Sequence, residues 1–151
     1  MKHSSKELLA CIETLSSVRA LVAGDIALDR YLWGSVNRIS PEAPVPVVLE
    51  ERKEDRLGCA GNASKNLSAL GVSCFLCGVI GEDQEGEVVK NLLEEDGTNS
   101  SYLVIDKNQP TIVKTRVVAH SQQVVRIDRE EISKNLYTQR QAVIDTACLC
   151  V

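Results

Sequence analysis

The sequence predicts an α/β fold in which a mostly parallel β-sheet is covered by helices on both faces. Apolar runs of strand length alternate with segments of helical spacing along the chain, and glycine or aspartate stands at most of the boundaries between them. The segment Leu57 to Gly81, LGCAGNASKNLSALGVSCFLCGVIG, contains a glycine-rich turn, a helix and a buried strand in succession. Because parallel strands need a crossover connection, this alternation favours a layered α/β domain.

The first fifty residues predict a helix, a strand and a projecting flap. A helix over 8–15 is followed by a buried strand over 19–24, which ends in a turn at Gly24-Asp25. Prolines then interrupt a valine-rich run over 31–52, which favours an extended, edge-type excursion over a central strand. The helix has apolar residues at Leu8, Leu9, Ile12 and Leu15, and the prolines are Pro41, Pro44 and Pro46.

The middle of the chain has clear helix stop and start signals. A helix over 62–70 is closed by Gly71, and a strand over 72–80 follows it. Asp83 caps a helix that continues to Glu95, and Gly97 ends it. The buried stripe of this second helix is expected at Val88, Val89, Leu92 and Leu93.

The last third is predicted to be mostly β-structure with one helix. A strand over 102–105 precedes two β-rich runs over 111–119 and 122–127, which form a hairpin around His120-Ser121. A final helix over about 130–144 leads into an apolar run over 147–151 that begins another element. We therefore expect the chain to be cut within a longer domain.

Composition excludes several classes of function. With 151 residues and a formal charge of −4, the chain has no large basic field, so we expect no nucleic-acid partner and no attachment to an anionic membrane. No apolar run approaches the ~20 residues of a membrane span, and no signal peptide is visible, which favours a cytoplasmic protein. The cysteines lie mostly in apolar runs without framework spacing, and Cys74 and Cys77 lack partners for a metal set, so packed, reduced thiols without metal are predicted.

Several catalytic motifs are absent. The corner beginning at Gly58 lacks the second glycine and the Lys-Ser/Thr order of a P-loop, and its two glycines are too far apart for a dinucleotide fingerprint. No G-x-S-x-G occurs, and neither histidine stands beside an obvious nucleophile. Hydrolase chemistry therefore has no support.

The glycine corner is the strongest candidate for a ligand site. Small residues at Gly58, Cys59, Ala60 and Gly61 allow close approach of backbone, and the following helix directs its free N–H groups towards a ligand. Asn62 both donates and accepts hydrogen bonds, which suits hydroxyl groups better than a bare anion. A polyol ligand is predicted.

Charged residues near this corner extend the prediction. Asp29 is expected to accept hydrogen bonds from ligand hydroxyls, whereas Asp25 has the alternative role of capping a turn. The hairpin carries three cations that either form a solvated face or bind a substrate phosphate, an alternative that the sequence leaves open. These cations are Lys114, Arg116 and Arg126.

Three segments together resemble the ribokinase-like (PfkB) carbohydrate kinases. The resemblance runs in order through roughly residues 18–131, and it implies a three-layer α/β/α sandwich with a β-lid. Its closest likeness is to the branch that phosphorylates a heptose 7-phosphate in the synthesis of lipopolysaccharide precursors. The segments are GDIALDRYLWGSVNRISPEAPVPVV, LGCAGNASKNLSALG and PTIVKTRVVAHSQQVVRIDREE.

The resemblance implies specific roles along this chain. It assigns the substrate to Asp29 and to the corner over 58–62, makes the segments over about 32–52 and 111–127 the lid, and implies a homodimer formed through that lid. ATP and Mg²⁺ are the implied cofactors. One departure is Gly58-Cys59, where the family typically has consecutive glycines, and we expect a modest loss of sugar affinity from the added side chain.

The family's downstream Gly-Ala-Gly-Asp motif, which supplies the catalytic base, does not occur before Val151. Residues 1–151 are therefore expected to be the N-terminal, substrate-binding portion of one kinase domain, truncated after its N-terminal half and inactive alone. Two alternatives remain: a kinase for another sugar, and a non-catalytic remnant that only binds sugar or a partner chain.

Overall fold

The computed structural model describes residues 4–131 and 136–148. Four α-helices and seven strands lie in these two ranges, with a 3₁₀ turn over Leu15–Ser17 after the first helix. The elements in chain order are α1 (Ser5–Thr14), β1 (Arg19–Ala23), β2 (Ile26–Ile39), β3 (Pro46–Cys59), α2 (Ala60–Ala69), β4 (Ser73–Gly81), α3 (Gln84–Glu95), β5 (Leu103–Asp106), β6 (Ile112–Ala119), β7 (Gln122–Arg129) and α4 (Leu136–Cys148).

A three-stranded parallel sheet has the order β1-β4-β5, as the α/β prediction requires. Alternate residues of β4 face opposite sides of this sheet. Leu76 packs in the core that contains Val89 and Leu93 of α3, whereas the Cys77 Sγ lies 3.4 Å from the Val143 carbonyl oxygen of α4. Helices therefore cover both faces, and the predicted layering is confirmed.

A second, four-stranded sheet has the order β3-β2-β6-β7. The β2–β3 and β6–β7 pairs are antiparallel, and β2 runs parallel to β6. The predicted edge-type excursion over 31–52 is therefore wrong for β2, which is a central strand. Pro41 and Pro44 lie in the connection after β2, and Pro46 is the first residue of β3, so none of them interrupts a central ladder.

The start of the glycine corner also differs from the prediction. Gly58 and Cys59 are the last residues of β3 and are not part of a loop, and α2 begins at Ala60, two residues before the predicted start at Asn62. Asp29 lies within β2 rather than in a turn, and it pairs in register with Arg56 of β3. Strand pairing across the sheet overrides the local turn signal of the glycines.

The boundary signals at Asp83, Gly71, Gly97 and the hairpin are confirmed to within one or two residues. The Asp83 Oδ1 accepts a hydrogen bond of 2.8 Å from the Gly86 amide at the start of α3, and Gly71 and Gly97 take positive φ values of 88° and 69°. His120 and Ser121 form the predicted hairpin turn, with φ values of 48° and 65°. Glycine-like turn conformations therefore occur at two residues that are not glycine.

The core lies between the two sheets and joins them. β2 and β3 contribute Ile26, Leu28 and Leu57, which pack with apolar residues of β4, α3 and β6. The other buried members of this cluster are Leu76, Ile80, Val89, Leu93 and Val113. Because one cluster contains residues of both sheets, their relative position is set by packing.

Three further predictions need correction. The strand over 19–24 was expected to be buried, but β1 alternates between half-buried and exposed residues at the edge of the described sheet. Cys11, Cys59 and Cys148 are exposed and do not pack in the core, although Cys74 and Cys77 are buried. Ala147 belongs to α4 and does not begin a new element, Glu130 and Glu131 precede any helix, and residues 149–151 lie outside the described part.

Within the described ranges, we find no helix that is both long and apolar enough to cross a membrane.

Candidate functional site

Asp29 lies at the centre of a charged row that crosses the four-stranded sheet. The register places Arg56 of β3 beside it on one side and Lys114 of β6 beside it on the other. The Arg116 Nη1 donates a hydrogen bond of 2.7 Å to the Asp29 Oδ1. This bond raises the pKa of Arg116, so that the guanidinium is a permanent cation next to the carboxylate.

Gly58 makes room for the Asp29 carboxylate. A Cβ atom at Gly58 would lie 2.9 Å from the Asp29 Cγ and 3.2 Å from the Ala27 carbonyl oxygen. Both distances are shorter than ordinary contacts, so a larger residue would displace the carboxylate. Glycine is therefore needed at position 58 to leave room for the Asp29 carboxylate on the neighbouring strand.

Cys59 takes a backbone conformation that normally belongs to glycine. Its φ and ψ values are 52° and −125°, and no side chain caps the helix that starts after it. Partial desolvation raises the pKa of its thiol, Lys114 lowers it, and Asp29 and Asp25 raise it again, with a net increase. The thiol is therefore a neutral group beside the charged row.

The start of α2 is held close to the end of β1. The Ala60 amide donates a hydrogen bond of 2.9 Å to the Asp25 carbonyl oxygen, and a Cβ at Gly24 would lie 3.4 Å from the Ala60 Cβ. Gly61 is also constrained, because its Cβ would meet the Leu57 side chain at 3.2 Å. The end of β1 and the glycine corner are therefore adjacent.

A cleft of about 530 Å³ lies between β2 and β3 of this sheet and the helices α2 and α3. Asp29 and Asn62, both predicted to bind hydroxyl groups, line it together with aromatic, charged and aliphatic side chains. The remaining lining residues are Tyr31, Glu54, Asp55, Arg56, Leu57, Lys65 and Leu92.

The three predicted cations lie on the same face of the sheet as Asp29. Lys114 is beside Asp29 in register, Arg116 is two residues further along β6, and Arg126 pairs with Arg116 across β7. The Lys114 Nζ lies 3.3 Å from a Glu130 carboxylate oxygen, and the Arg126 Nε lies 2.9 Å from the Asp128 Oδ1. The cations are thus grouped as predicted, but each already has an anionic partner.

Sequence reasoning missed Arg56 and Tyr31. The Cζ atoms of Arg56 and Arg116 lie 4.8 and 5.3 Å from the centre of the Tyr31 ring, so two guanidinium groups approach one aromatic side chain. In the sequence, Arg56 belongs to the charge-rich run EERKEDR, which resembles a solvated segment. The usable signal was the two-residue spacing of Arg52, Glu54 and Arg56, which places them on one face of a strand.

The described residues do not fit a Mg²⁺ site. Among residues 4–131 and 136–148, no group of three or more histidine, cysteine, aspartate or glutamate side chains is arranged to hold a metal ion. We therefore assign none of them to the magnesium that the resemblance implies.

A parallel sheet covered by helices, with a second sheet beside a cleft that Asp29 and Asn62 line, is the architecture that the resemblance to carbohydrate kinases implies. Residues 19–149 match the sequence profile described as pfkB family carbohydrate kinase. The chain belongs to this family, whose members are phosphotransferases that use ATP, and the resemblance inferred from the sequence is confirmed.

Two relatives indicate a branch of the family. The chain is 47% identical over 140 residues to the bifunctional protein HldE of Citrifermentans bemidjiense, covering 93% of this chain and 29% of that protein. It is 47% identical over 119 residues to the D-beta-D-heptose 7-phosphate kinase of Bordetella bronchiseptica, covering 79% of this chain and 38% of that protein. The chain therefore spans about a third of the length of these relatives.

Solved structures confirm the ribokinase-like fold. A carbohydrate kinase from Agrobacterium tumefaciens matches with a TM-score of 0.62 at 22% identity, over 74% of this chain and 35% of that one. The ribokinase of Arabidopsis thaliana, complexed with ribose and ATP, matches with a TM-score of 0.58 at 16% identity, over 76% of this chain and 36% of that one.

Proposed function

We propose that this chain is the N-terminal, substrate-binding part of one kinase domain that transfers the γ-phosphoryl group of ATP to the anomeric hydroxyl of D-glycero-β-D-manno-heptose 7-phosphate. The product would serve the synthesis of ADP-heptose for lipopolysaccharide, and the cytoplasm, where ATP is available, is the proposed compartment. The observation that carries this proposal is the 47% identity to a protein named for that kinase activity.

The geometry of the site supports a sugar phosphate as the ligand. Asp29 and Asn62 supply a carboxylate and an amide for hydroxyl groups in one cleft, and the corner over 58–61 lies in the chain between two of its lining residues, Leu57 and Asn62. Lys114, Arg116 and Arg126 lie on the same face and provide cations for a phosphate group. ATP with Mg²⁺ would supply the phosphoryl group, and the general base is not assigned to residues 1–151.

We also propose that the four-stranded sheet is a lid over the sugar and that it pairs with the same sheet of a second copy. All eight residues of β7 are exposed, including the apolar Val125 and Ile127, which stand two residues apart on one face. An exposed apolar strand at a sheet edge is a suitable surface for self-association.

The substrate assignment can be tested by ligand binding to the 151-residue chain. Heptose 7-phosphate should bind more tightly than heptose, ribose or fructose in isothermal titration. Lys114→Ala and Arg116→Ala should each lower the affinity for the phosphorylated sugar by roughly tenfold, because a charge-assisted hydrogen bond to phosphate is lost. The affinity for the unphosphorylated sugar should fall much less.

Lys107→Ala is the matched control for these two variants. Lys107 pairs only loosely with Glu82, at 3.6 Å, and does not line the cleft. A preference for ribose or fructose would contradict the heptose assignment, and equal losses for both forms of the sugar would show that these cations do not bind the phosphate.

A further inference from the structure

Arg56 occupies a position in the site that the sequence did not single out. It lies directly opposite Asp29 in the β2–β3 pair, so both side chains are on the same face of the sheet. It also lines the cleft together with Asn62 and Lys65 of α2. A ligand whose hydroxyl groups contact Asp29 and Asn62 would therefore lie within reach of this guanidinium.

The guanidinium of Arg56 is oriented, but only one of its nitrogens is used. Its Nε donates a hydrogen bond of 2.6 Å to the Glu54 Oε1, and its Cζ lies 4.8 Å from the centre of the Tyr31 ring. Within the described ranges, no other hydrogen bond to this side chain is present. The edge formed by its two terminal nitrogens is left free, and this edge matches two oxygens of a phosphate group.

The carboxylates around the cleft do not oppose an anion at this place. Asp29 is paired with Arg116 at 2.7 Å, and Asp55 is held by Arg30 at 2.8 Å. Glu54 contacts Arg56 itself and also lies 3.5 Å from Arg52. Each carboxylate already has a cationic partner, so a phosphate dianion would approach the free edge of Arg56 without facing an unpaired negative charge.

We propose that Arg56 is a further specificity-determining residue, which binds the phosphate group of the substrate from β3 while Arg116 binds it from β6, on the other side of Tyr31. This inference rests on the proposed sugar phosphate substrate. It assigns the discrimination between phosphorylated and free sugar to two arginines that converge on one aromatic ring.

The test compares the affinities of the wild-type chain and of Arg56→Ala for heptose 7-phosphate and for unphosphorylated heptose, by isothermal titration. We expect Arg56→Ala to lower the affinity for the phosphorylated sugar about ten- to a hundredfold, because a bidentate charge-assisted contact is lost. The affinity for the free sugar should change by less than about twofold. Arg56→Lys keeps the positive charge but lacks the two parallel N–H donors of the guanidinium, so it should give an intermediate loss of affinity for the phosphorylated sugar.

Arg52→Ala is the matched control. Arg52 is on the same strand and also lies over an aromatic ring, 5.1 Å from the centre of Trp33, with a similarly exposed side chain, 62% against 53% for Arg56. It does not line the cleft, so its loss should leave both affinities nearly unchanged.

Each outcome is decisive when the far-ultraviolet circular dichroism of the variants equals that of the wild type. Suppose that the wild type prefers heptose 7-phosphate. If Arg56→Ala then lowers the affinity for both sugars equally, or for neither of them, the role of Arg56 is refuted while the proposed function stands. If the wild type shows no preference for the phosphorylated sugar, the proposed function fails and the inference fails with it. A variant that does not fold is replaced by Arg56→Lys, for which an unchanged preference refutes the guanidinium's role.

Discussion

Cys59 has a backbone conformation that lowers the local stability of the chain. Its φ value of 52° with ψ at −125° places the Cβ in a region that is essentially restricted to glycine. The conformation is imposed from both sides, because β3 ends at Cys59 and the next amide, that of Ala60, is bonded to the Asp25 carbonyl oxygen. The sequence revealed an unusual residue here, but not that its backbone would be strained.

Cys59→Gly should therefore stabilise the chain. Relief of strain on the order of 1–3 kcal/mol outweighs the roughly 0.5–1 kcal/mol by which glycine favours the unfolded state, so we expect a net gain of about 1 kcal/mol. In thermal unfolding followed by circular dichroism, this corresponds to an increase in Tm of about 2–4 °C for a chain of this size. Cys59→Ser keeps the Cβ and should show no gain; an equal gain for serine would contradict the role of the backbone.

The residues of the site were only partly predictable, because charge partners distant in sequence decide which side chains meet. Asp29 was identified from its place after an apolar run, yet its hydrogen-bond partner Arg116 lies 87 positions away. Arg56 was hidden in a charged run that has the composition of a solvated segment. Strand register, which no local pattern contains, placed it beside Asp29.

At the scale of elements, Glu85 links the four-stranded sheet to helix α3. Its carboxylate accepts a hydrogen bond from the Arg30 Nη1 at 3.5 Å and forms an ion pair with the Arg129 Nη2 at 2.9 Å. Arg30 in turn contacts Asp55 through two nitrogens, at 2.8 and 3.1 Å. Strands β2, β3 and β7 are thus connected to the first turn of α3 through one side chain that is only 17% exposed.

Glu85→Gln should lower the free energy of unfolding by about 1–2 kcal/mol at neutral pH, because a partly buried carboxylate with two arginine partners is lost. The hydrogen bond from Arg129 lowers the pKa of Glu85 in the folded chain. Its contribution is therefore complete above the unfolded pKa of about 4.3 and is lost as the pH falls through the lower folded value. Urea titrations at pH 7 and at pH 3 should show the difference between wild type and variant shrink at the lower pH.

Glu87→Gln is the control for this effect. Glu87 is in the same helical turn but is 67% exposed, and its one ion pair among residues 4–131 and 136–148 is with Lys90, so we expect a change below about 0.5 kcal/mol. A loss at Glu87 as large as that at Glu85, or a pH-independent loss at Glu85, would contradict the proposed link.

The elements themselves were predictable where local chemistry decides their ends. Asp83, Gly71 and Gly97 predicted the ends of α2, β4 and α3 to within two residues, and the structure confirms the cap at Asp83 and the positive φ of both glycines. β2 was not predictable as a central strand, because its polar residues find partners on both faces, from Asp55 on one and Arg116 on the other. Such partners come from distant strands and helices, and a period-two apolar pattern does not reveal them.

At the scale of the whole molecule, the two sheets act as one packed unit. Ile26 and Leu28 of the four-stranded sheet are buried in the cluster that contains Leu76 and Ile80 of the parallel sheet. The far end of the four-stranded sheet, around β7, is exposed in contrast. The proposed lid is therefore anchored at the site and open for association at its outer edge.

The proposed homodimer predicts that charges on β7 prevent self-association. Val125→Lys combined with Ile127→Lys should convert a dimer into a monomer in sedimentation equilibrium, because two apolar side chains of one face become cationic in each copy. Leu9→Lys, at an exposed apolar residue of α1, is the control and should leave the dimer intact. A wild-type chain that sediments as a monomer at all accessible concentrations would contradict the pairing.

The ion pair between Asp29 and Arg116 has a consequence for ligand selection. Binding of a sugar phosphate would be an exchange at this pair: Asp29 receives a hydroxyl group, and Arg116 receives the phosphate in place of the carboxylate, so that Arg116 keeps an anionic partner. A free sugar would give Asp29 a partner but leave Arg116 without an anion, a penalty that works against the wrong ligand. An affinity based on exchange should also vary less with ionic strength than one based on unpaired cations, so that the site would keep its selectivity as the salt concentration changes.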